Sequence, residues 1–497
     1  MSAISFVLNG EPVTVEGVDP NTTLLHWLRA TGRTGTKEGC AEGECGACAV
    51  AWRATGPDGK PRWDVVNSCL VLLPAVHGRD VLTVEGIRGT DGKAPLHPVQ
   101  RCMADGGGSQ CGYCTPGFVV SLFGEYYRAD SGPFDLECIA GNLCRCTGYR
   151  PIRDAATELA TIRAKAAASG APDPHRARLA EPIPPPAPLV YENAASAGVP
   201  TRSFARPRSL EEALALYAKE PHRTLVTGGT DVVVAVNQRH ERHDALLSLE
   251  AVEALSIFEE RTDALVIGAN VTLASIEERL HTSALGRALP MLGELLPLFS
   301  SRLIRTRATF GGNLGTASPI GDGPPALLAL DAELELASWD GAAVARRTVP
   351  LVSYFLGYRK TALRPGEIIA AVRIPRPFAS LQRFYKVSKR RLDDISSVAG
   401  AFAIERDAAG VITRARLAFG GVAATPVRLL AAEDALVGHA LSPARMEEVA
   451  AIAMGAVTPI DDHRASARYR RAMVGSLLRK LAHEHGRPAQ GGVEVRT

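Results

Sequence analysis

The sequence lacks the long apolar stretches that membrane-spanning proteins carry. No segment approaches the roughly 18 consecutive apolar residues that a transmembrane helix needs. The N-terminus, Met1-Ser-Ala-Ile-Ser-Phe6, has no basic stretch followed by an apolar one, which a secretory signal would show. The sequence therefore predicts a cytoplasmic protein with no membrane partner.

An excess of charge of one sign is also missing. The 56 Lys and Arg residues nearly balance the 53 Asp and Glu residues, which leaves a net charge of +3, and no long run of like charges occurs. Proteins that bind nucleic acid concentrate positive charge in patches or stripes. We therefore expect no nucleic-acid partner and look for chemistry elsewhere.

Cysteine is missing from most of the chain, because all ten cysteines lie between Cys40 and Cys146. Disulfide frameworks belong to small secreted domains, and this chain has 497 residues. Eight of the cysteines form two groups of four. The other two, Cys102 and Cys138, are predicted to be buried free thiols.

The first group has the spacing C-x4-C-x2-C and is completed by one distant cysteine. This is the ligand pattern of a plant-type [2Fe–2S] cluster. Glycines at positions 39, 43 and 46 would let the backbone wrap round such a cluster. Zinc sites usually show paired C-x2-4-C units, which fit this spacing poorly. The predicted iron ligands are Cys40, Cys45, Cys48 and Cys69.

The second group supplies C-x2-C and C-x-C near the ends of predicted helices. Taken alone, this spacing is compatible with a zinc site as well as with an iron–sulfur site. A second cluster beside the first would form an electron relay, which gives two four-cysteine sets a shared use. We therefore predict a second [2Fe–2S] cluster, held by Cys111, Cys114, Cys144 and Cys146.

Local patterns around the first group describe a β-grasp, ferredoxin-like module. Apolar residues alternate over Ile4–Val15, and Asn9-Gly10 between them predicts a type I′ hairpin turn. A helix with a threonine cap is predicted from Thr22. A further strand is predicted over Asp80–Val84. Farther on, Phe118, Leu122 and Tyr126 mark one apolar face of a helix.

The second half of the chain follows a segment rich in proline. Glu181–Pro188 contains too many prolines for a helix and predicts an extended linker. A capping box at Ser209-x-x-Glu212 then opens a helix. The strand Thr224–Thr227 leads into Gly228-Gly-Thr-Asp231, a turn whose backbone N–H groups could hold a phosphate or could simply connect two elements.

A second glycine-rich stretch, Phe310–Asp322, is predicted to be a loop with side-chain donors. Two such segments could clamp the diphosphate of a dinucleotide between them. Neither fits G-x-G-x-x-G, so an ordinary Rossmann site is not predicted.

Three strings make the sequence resemble the xanthine dehydrogenase and aldehyde oxidase family of molybdenum hydroxylases: Leu96–Gln100, Gln110–Gly117 and Gly141–Pro151. The resemblance implies a multidomain α+β fold. The implied parts are a β-grasp [2Fe–2S] domain (1–86), a helical [2Fe–2S] domain (87–168), a Pro-rich linker (169–199), a PCMH-type FAD-binding domain (200–378) and a C-terminal domain like that of CO dehydrogenase flavoproteins (379–490).

The resemblance also implies an FAD site. Phe299 would lie on the isoalloxazine ring, although its place at the end of an apolar helix also fits core packing. Lys386 and Asp393 would lie near the flavin, although their charged segment also fits a solvated face. The remaining implied FAD-binding residues are Leu225, Val226, Thr227, Gly228, Gly229, Thr230, Asp231, Gly311, Gly312, Asn313, Thr316, Ser318 and Asp322.

No stretch resembles the family's molybdopterin-binding portion, so the resemblance implies the small subunit of a split xanthine dehydrogenase. Its partner would be a large molybdopterin-binding subunit, in a heterotetramer of two small and two large subunits. Gln110 would approach the pterin, and no catalytic residue acting on the purine is expected on this chain.

The implied reaction is purine hydroxylation, of hypoxanthine and xanthine to urate, at the partner's molybdenum. Electrons would then pass through the second cluster and the first to FAD and on to NAD+. The alternatives are the same role in an aldehyde- or carbon-monoxide-oxidising relative, oxygen as the acceptor, or a non-enzymatic scaffold with two zinc sites.

Overall fold

The N-terminal part of the chain forms a mixed sheet with a helix packed on it. The computed structural model describes residues 3–88, 95–128, 134–170, 172–193 and 200–486. The strand order is β2-β1-β5-β3-β4, with β1 and β5 parallel. The elements are β1 (Ile4–Leu8), β2 (Glu11–Val15), α1 (Leu24–Ala30), β3 (Ala49–Thr55), β4 (Pro61–Asn67), β5 (Asp80–Leu82) and α2 (Val84–Ile87).

Two local predictions for this part of the chain, a turn and a helix cap, are confirmed. A third, a strand, is shorter than predicted. Asn9 and Gly10 have φ angles of 54° and 93°, as a type I′ turn requires. Thr23 caps α1 by accepting a hydrogen bond from the N–H of His26 at 3.2 Å. The strand predicted over Asp80–Val84 ends at Leu82, because the side chain of Asn9 bonds both the N–H and the hydroxyl of Thr83 and turns the chain into α2.

A helical layer packs against β3 and β4. Its elements are α3 (Pro98–Asp105), α4 (Thr115–Tyr126), α5 (Arg150–Ser169) and α6 (Pro174–Ala180). The sequence predicts one apolar face on α4, through Phe118, Leu122 and Tyr126. Instead α4 is buried all round from Gly117 to Tyr126, since it lies between the sheet on one side and α3 and α5 on the other.

The segment 169–199, predicted as a linker, contains two regular elements. Residues 182–188 are irregular, as their prolines predict. Before them, Asp173 caps α6 and accepts a hydrogen bond from Tyr127 at 2.8 Å. After them, Leu189 and Tyr191 of the following strand enter the same core as the N-terminal sheet. The segment is therefore packed against both halves, and its residues 171 and 194–199 lie outside the described ranges.

The second half of the chain, from residue 189 onward, is called the flavin-like half because the resemblance assigns it to FAD binding. It begins with a small sheet in the order β6-β7-β9-β8. The predicted capping box is confirmed, because the Ser209 hydroxyl accepts from the N–H of Glu212 at 3.1 Å. The elements are β6 (Leu189–Glu192), β7 (Ser203–Arg206), α7 (Leu210–Lys219), β8 (Thr224–Val226), α8 (Val232–Gln238) and β9 (Ala245–Ser248).

An antiparallel sheet in the order β10-β11-β16-β12-β13 follows, with helices over it and a small β14–β15 hairpin beside it. The elements are β10 (Phe258–Glu260), β11 (Ala264–Gly268), α9 (Leu273–Thr282), α10 (Leu285–Ala288), α11 (Pro290–Leu295), α12 (Arg302–Arg305), α13 (Phe310–Thr316), α14 (Gly323–Ala329), β12 (Glu333–Trp339), β13 (Val344–Pro350), β14 (Phe355–Gly357), β15 (Lys360–Thr361) and β16 (Ile368–Pro375).

The C-terminal part is an antiparallel sheet of β17 to β20 in chain order, packed against helices. Residues 487–490, which the sequence assigns to this domain, lie outside the described ranges. Within those ranges, no helix has the length and apolarity to cross a membrane. The elements are β17 (Leu381–Val387), β18 (Val398–Arg406), β19 (Ile412–Gly420), β20 (Val427–Arg428), α15 (Leu430–Leu436), α16 (Pro443–Ala456) and α17 (Ala467–His485).

Candidate functional site

The four cysteines of the first group converge as two pairs. The thiols of Cys40 and Cys45 interact with each other, as do those of Cys48 and Cys69. The interaction with Cys45 lowers the pKa of Cys40 to about 5, whereas the interaction with Cys48 and burial raise the pKa of Cys69 well above its usual value. Cys48 and Cys69 are 2% and 1% exposed. Cys40 and Cys45 are half-buried, so one pair of this set, called the buried set below, lies fully inside the protein.

Glycines let the loop that carries this set wrap closely round the sulfurs. Gly43 and Gly46 have φ angles of 89° and 64°, in the region that residues with a Cβ avoid. A Cβ on Gly39 would lie 2.7 Å from the Cys45 sulfur. The side chain of Asn67 fixes the loop by donating to the Gly43 carbonyl at 2.8 Å. The glycine-dependent path predicted from the sequence is thus present.

The cysteines of the second group also converge, but at the surface. The sulfur of Cys146 lies 3.6 Å from that of Cys111 and 3.9 Å from that of Cys144. Burial and a hydrogen bond with Cys144 raise the pKa of Cys114 to about 12. Although burial opposes it, hydrogen bonds from Thr147 lower the pKa of Cys144 to about 7. Cys111 and Cys146 are exposed.

The donor chemistry of both sets fits a binuclear iron–sulfur cluster. A [2Fe–2S] cluster divides four thiolates between two irons, so its ligands come in pairs. A structural zinc ion would instead need all four ligands around one point. The preference for a cluster over zinc therefore rests on the spacing of the cysteines and on their donor chemistry.

The two cysteine sets are joined by direct hydrogen bonds. The N–H of Leu143, beside Cys144, donates to the Cys45 carbonyl at 3.0 Å. Asn142 donates from its side chain to the Gly46 carbonyl at 3.1 Å. A Cβ on Gly46 would lie 2.4 Å from the Asn142 amide nitrogen. The loop of the first set is therefore pressed against the loop of the second.

The predicted phosphate-binding turn is packed closely against the backbone of the protein. Gly229 has a φ angle of 77°, and a Cβ on Gly228 would lie 1.9 Å from the Arg307 carbonyl oxygen. The Arg307 guanidinium donates to the carbonyls of Thr227 at 3.3 Å and Gly228 at 3.2 Å. Within the described ranges, no N–H of residues 228–231 has a backbone acceptor, so these groups remain for an anion.

The second glycine-rich stretch, predicted as a loop, begins as a helix. Thr309 caps α13 by accepting from the N–H of Gly312 at 3.0 Å, and the helix runs to Thr316. Gly311 serves close packing, since a Cβ there would lie 2.6 Å from the Ala269 Cβ. The Thr316 hydroxyl donates to the Asp231 carboxylate at 3.2 Å, which brings both glycine segments together as predicted.

Asn313, on α13, has a buried acceptor beside Gly323. Its side-chain oxygen is buried and receives no hydrogen bond from the described residues. An unpaired buried polar atom is costly, so a ligand that supplies a donor would offset the cost. The residues present thus fit a bound dinucleotide.

Lys386 lies in a buried ion pair and not on the solvated face that its charged segment also allowed. Its ammonium group donates to the Asp322 carboxylate at 2.8 Å and to the Leu298 carbonyl at 2.7 Å. The Lys386 side chain is 3% exposed and that of Asp322 is 8% exposed. Phe299 follows Leu298 directly and is half-buried, so the structure gathers the predicted lysine, aspartate and aromatic residue.

Asp393 lies next to the same segment. It accepts a hydrogen bond from the Ser300 hydroxyl at 3.1 Å and has a φ angle of 49°. Burial raises the pKa of Asp393 to about 6. This carboxyl can therefore change charge near neutral pH, and it does so in contact with Ser300, the residue after Phe299.

No local sequence pattern points to Glu250, a buried carboxylate that organises the turn. Glu250 accepts hydrogen bonds from Arg307 and, at 2.5 Å, from Arg79 of the N-terminal sheet. Burial alone would raise the pKa of Glu250, but the charges of Arg307, Arg79 and Arg206 outweigh it and lower the pKa to about 2. Its stabilising charge is therefore present above pH 4.5 and is lost only as the pH falls toward 2.

Four family models match consecutive parts of the chain. The "2Fe-2S iron-sulfur cluster binding domain" matches residues 6–73, and the "[2Fe-2S] binding domain" matches residues 83–157. The "FAD binding domain in molybdopterin dehydrogenase" matches residues 200–377. The "CO dehydrogenase flavoprotein C-terminal domain" matches residues 383–485. These matches support two [2Fe–2S] clusters and an FAD as cofactors.

Curated relatives are longer than this chain. Xanthine dehydrogenase of Emericella nidulans is 35% identical over 89% of this chain and 36% of that protein. Xanthine dehydrogenase of Drosophila subobscura is 35% identical over 96% of this chain and 39% of that protein. The chain thus spans little more than a third of the length of these relatives.

Solved structures match a little more than half of this chain. Reconstituted CO dehydrogenase from Oligotropha carboxidovorans matches with a TM-score of 0.52 and 29% identity, over 57% of this chain and 96% of that one. CO dehydrogenase from Hydrogenophaga pseudoflava matches with the same TM-score and 28% identity, over 56% of this chain and 94% of that one. The chain belongs to the molybdenum hydroxylase family and corresponds to its iron–sulfur and FAD-binding part.

Proposed function

We propose that this chain is the electron-transfer subunit of a xanthine dehydrogenase. Electrons from a molybdenum site on a partner subunit enter at the Cys111 set, pass to the Cys40 set, reach FAD and leave to NAD+. When bound, the clusters carry single electrons, and the flavin converts between one-electron and two-electron chemistry.

One observation carries this order. The loop of the Cys40 set bonds the second set through the Cys45 carbonyl, and on its other side it bonds α8, which follows the glycine turn. There Asn237 donates from its side chain to the Cys69 carbonyl at 2.8 Å. The buried set is therefore in contact with both the exposed set and the predicted flavin site, as an intermediate in a relay should be.

The surface round the Cys111 set supports a partner there. Tyr113 and Leu143 are 50% and 41% exposed, although they are large apolar side chains. Exposed apolar residues that cluster beside a redox site are typical of docking surfaces. Gln110 is exposed in the same region. We propose that a large molybdopterin-binding subunit docks on this surface, in a heterotetramer of two small and two large subunits.

The same role in a carbon-monoxide- or aldehyde-oxidising enzyme is the second candidate. The CO dehydrogenase neighbours, which match a little more than half of this chain, support it. Aldehyde oxidase 2 of Cavia porcellus is 32% identical over 95% of this chain. Xanthine dehydrogenase remains our choice because several relatives of that name match nearly the whole chain. The partner subunit would set the substrate in either case.

The proposal is tested by comparing the activities of the isolated chain with those of the complex. The isolated chain should pass electrons from NADH to an artificial dye and do nothing with xanthine, because its residues form an electron path and no purine site. Adding the molybdenum-containing partner should restore xanthine oxidation. Xanthine turnover by this chain alone, free of molybdenum, would contradict the proposal.

A charge placed in the docking surface separates the two activities. Leu143→Arg should prevent the restored xanthine activity, yet leave the NADH–dye activity intact. Val190→Arg, at an apolar side chain that is 71% exposed on β6, is the matched control and should leave both activities intact.

A further inference from the structure

The first cysteine set is bonded by a side chain of the flavin-like half. Asn237, at the end of α8, donates from its amide nitrogen to the Ala41 carbonyl at 2.9 Å and to the Cys69 carbonyl at 2.8 Å. Both amide hydrogens are thus used. Gln238 adds a bond at 2.7 Å from its side-chain nitrogen to the Cys40 carbonyl.

These bonds join two separate pieces of the ligand set. Cys40 and Ala41 belong to the loop before β3, whereas Cys69 lies in the 3-10 turn Ser68–Leu70 after β4. Ala41 has a φ angle of 56°, a left-handed conformation that costs free energy for a residue with a Cβ. A hydrogen bond to its carbonyl helps to hold this conformation.

The same helix touches the predicted flavin site at its other end. The turn Gly228–Asp231 precedes α8 directly, and a Cβ on Gly229 would lie 3.1 Å from the Leu70 carbonyl oxygen. The N–H of Val233 donates to the Gly229 carbonyl at 2.9 Å, so the backbone bonding of the helix extends into the turn. One short helix therefore contacts the phosphate-binding turn and the ligand loop together.

We propose that Asn237 is a positioning residue that locks Cys69 to the Cys40–Cys48 loop, so that the flavin-like half completes the first cluster site. The role rests on the proposed cluster at this set. The amide also neutralises two carbonyl dipoles beside the ligands, and hydrogen bonds and dipoles around a cluster tune its electronic state. The Cys111 set has no such donor from α8 and should be insensitive to the change.

Asn237→Leu keeps a similar volume and removes both donors. In the iron-free chain, amide hydrogen exchange of residues 38–49 and 66–73 should become about 10-fold faster, since two buried hydrogen bonds are lost. In the iron-loaded chain, a chelator should remove iron from the first set about 10-fold faster, which is typical when a partner of a metal ligand is lost. The EPR signal of that set should change, and that of the Cys111 set should not.

Controls make the result specific. Arg239→Ala is the control, two residues after Asn237 and exposed. The Arg239 side chain pairs with Glu241 and makes no bond to the ligand loop, so this variant should behave as wild type. Asn237→Ala removes the donors without adding a charge, so it gives the same test if the leucine variant does not fold. Asn237→Gln, which retains the donors, should restore the EPR signal in part.

The outcomes separate this inference from the proposed function. Unchanged exchange in the iron-free chain, or an unchanged EPR signal of the first set in an iron-loaded variant, would overturn the role of Asn237. A wild-type chain that takes up no iron would refute the cluster proposal, and the exchange of the two segments would still decide whether Asn237 locks them.

Discussion

Cys114→Ser is expected to abolish electron flow from the molybdenum-containing partner to NAD+ while the complex still assembles. Cys114 belongs to the exposed set, and a cluster deprived of one of its four thiolates loses both its charge balance and its geometry. The flavin site is separate, so the NADH–dye activity of the same variant should persist. Xanthine-dependent NADH formation and NADH–dye activity, measured side by side, check both expectations.

Cys45→Ser extends the test to the buried set. It should also stop NADH formation, yet the Cys111 set should still be reduced by the partner when xanthine is added, which EPR can follow. Cys102→Ser is the control, because Cys102 is buried outside both sets and burial raises its pKa to about 11. Undiminished turnover in Cys114→Ser or Cys45→Ser would show that the altered set lies off the path.

Gly229→Val is expected to remove most of the FAD and to leave the iron in place. Its φ angle of 77° disfavours any side chain, and a Cβ would approach the Leu70 carbonyl to 3.1 Å. Gly228→Val should have an even larger effect, since a Cβ there would lie 1.9 Å from the Arg307 carbonyl. Flavin absorbance and iron analysis of the purified variants give the result.

Gly455→Val is the matched control for the glycine variants, because nothing lies within 4 Å of a Cβ at Gly455. It should keep a full complement of FAD. Full flavin occupancy in Gly229→Val would mean that the turn only connects β8 to α8.

The sequence predicted the features whose signals are local. Asn9-Gly10 specified its own turn, and the capping box at Ser209 specified the start of α7. The cysteine spacing predicted two groups of four, and this was possible because three of the four cysteines in the first group share one loop. In these cases neighbouring residues contain the whole physical reason.

Features that depend on distant contacts were missed or misassigned. The glycines of Phe310–Thr316 resemble a loop, but Gly311 is there because the backbone of Ala269 leaves no room for a side chain in a packed helix. Asn237 and Glu250 look like ordinary polar residues in the sequence. Their roles arise from partners far along the chain, Cys69 and Arg79, and no local pattern encodes such pairings.

The central claim, that this chain carries two [2Fe–2S] clusters and an FAD, is tested most directly by cofactor analysis of the purified wild-type chain. We expect two irons and two acid-labile sulfides for each cysteine set, one FAD for each chain, and the visible absorption of both cofactor types. Stoichiometric zinc with little iron, in a colourless protein without flavin, would contradict the account.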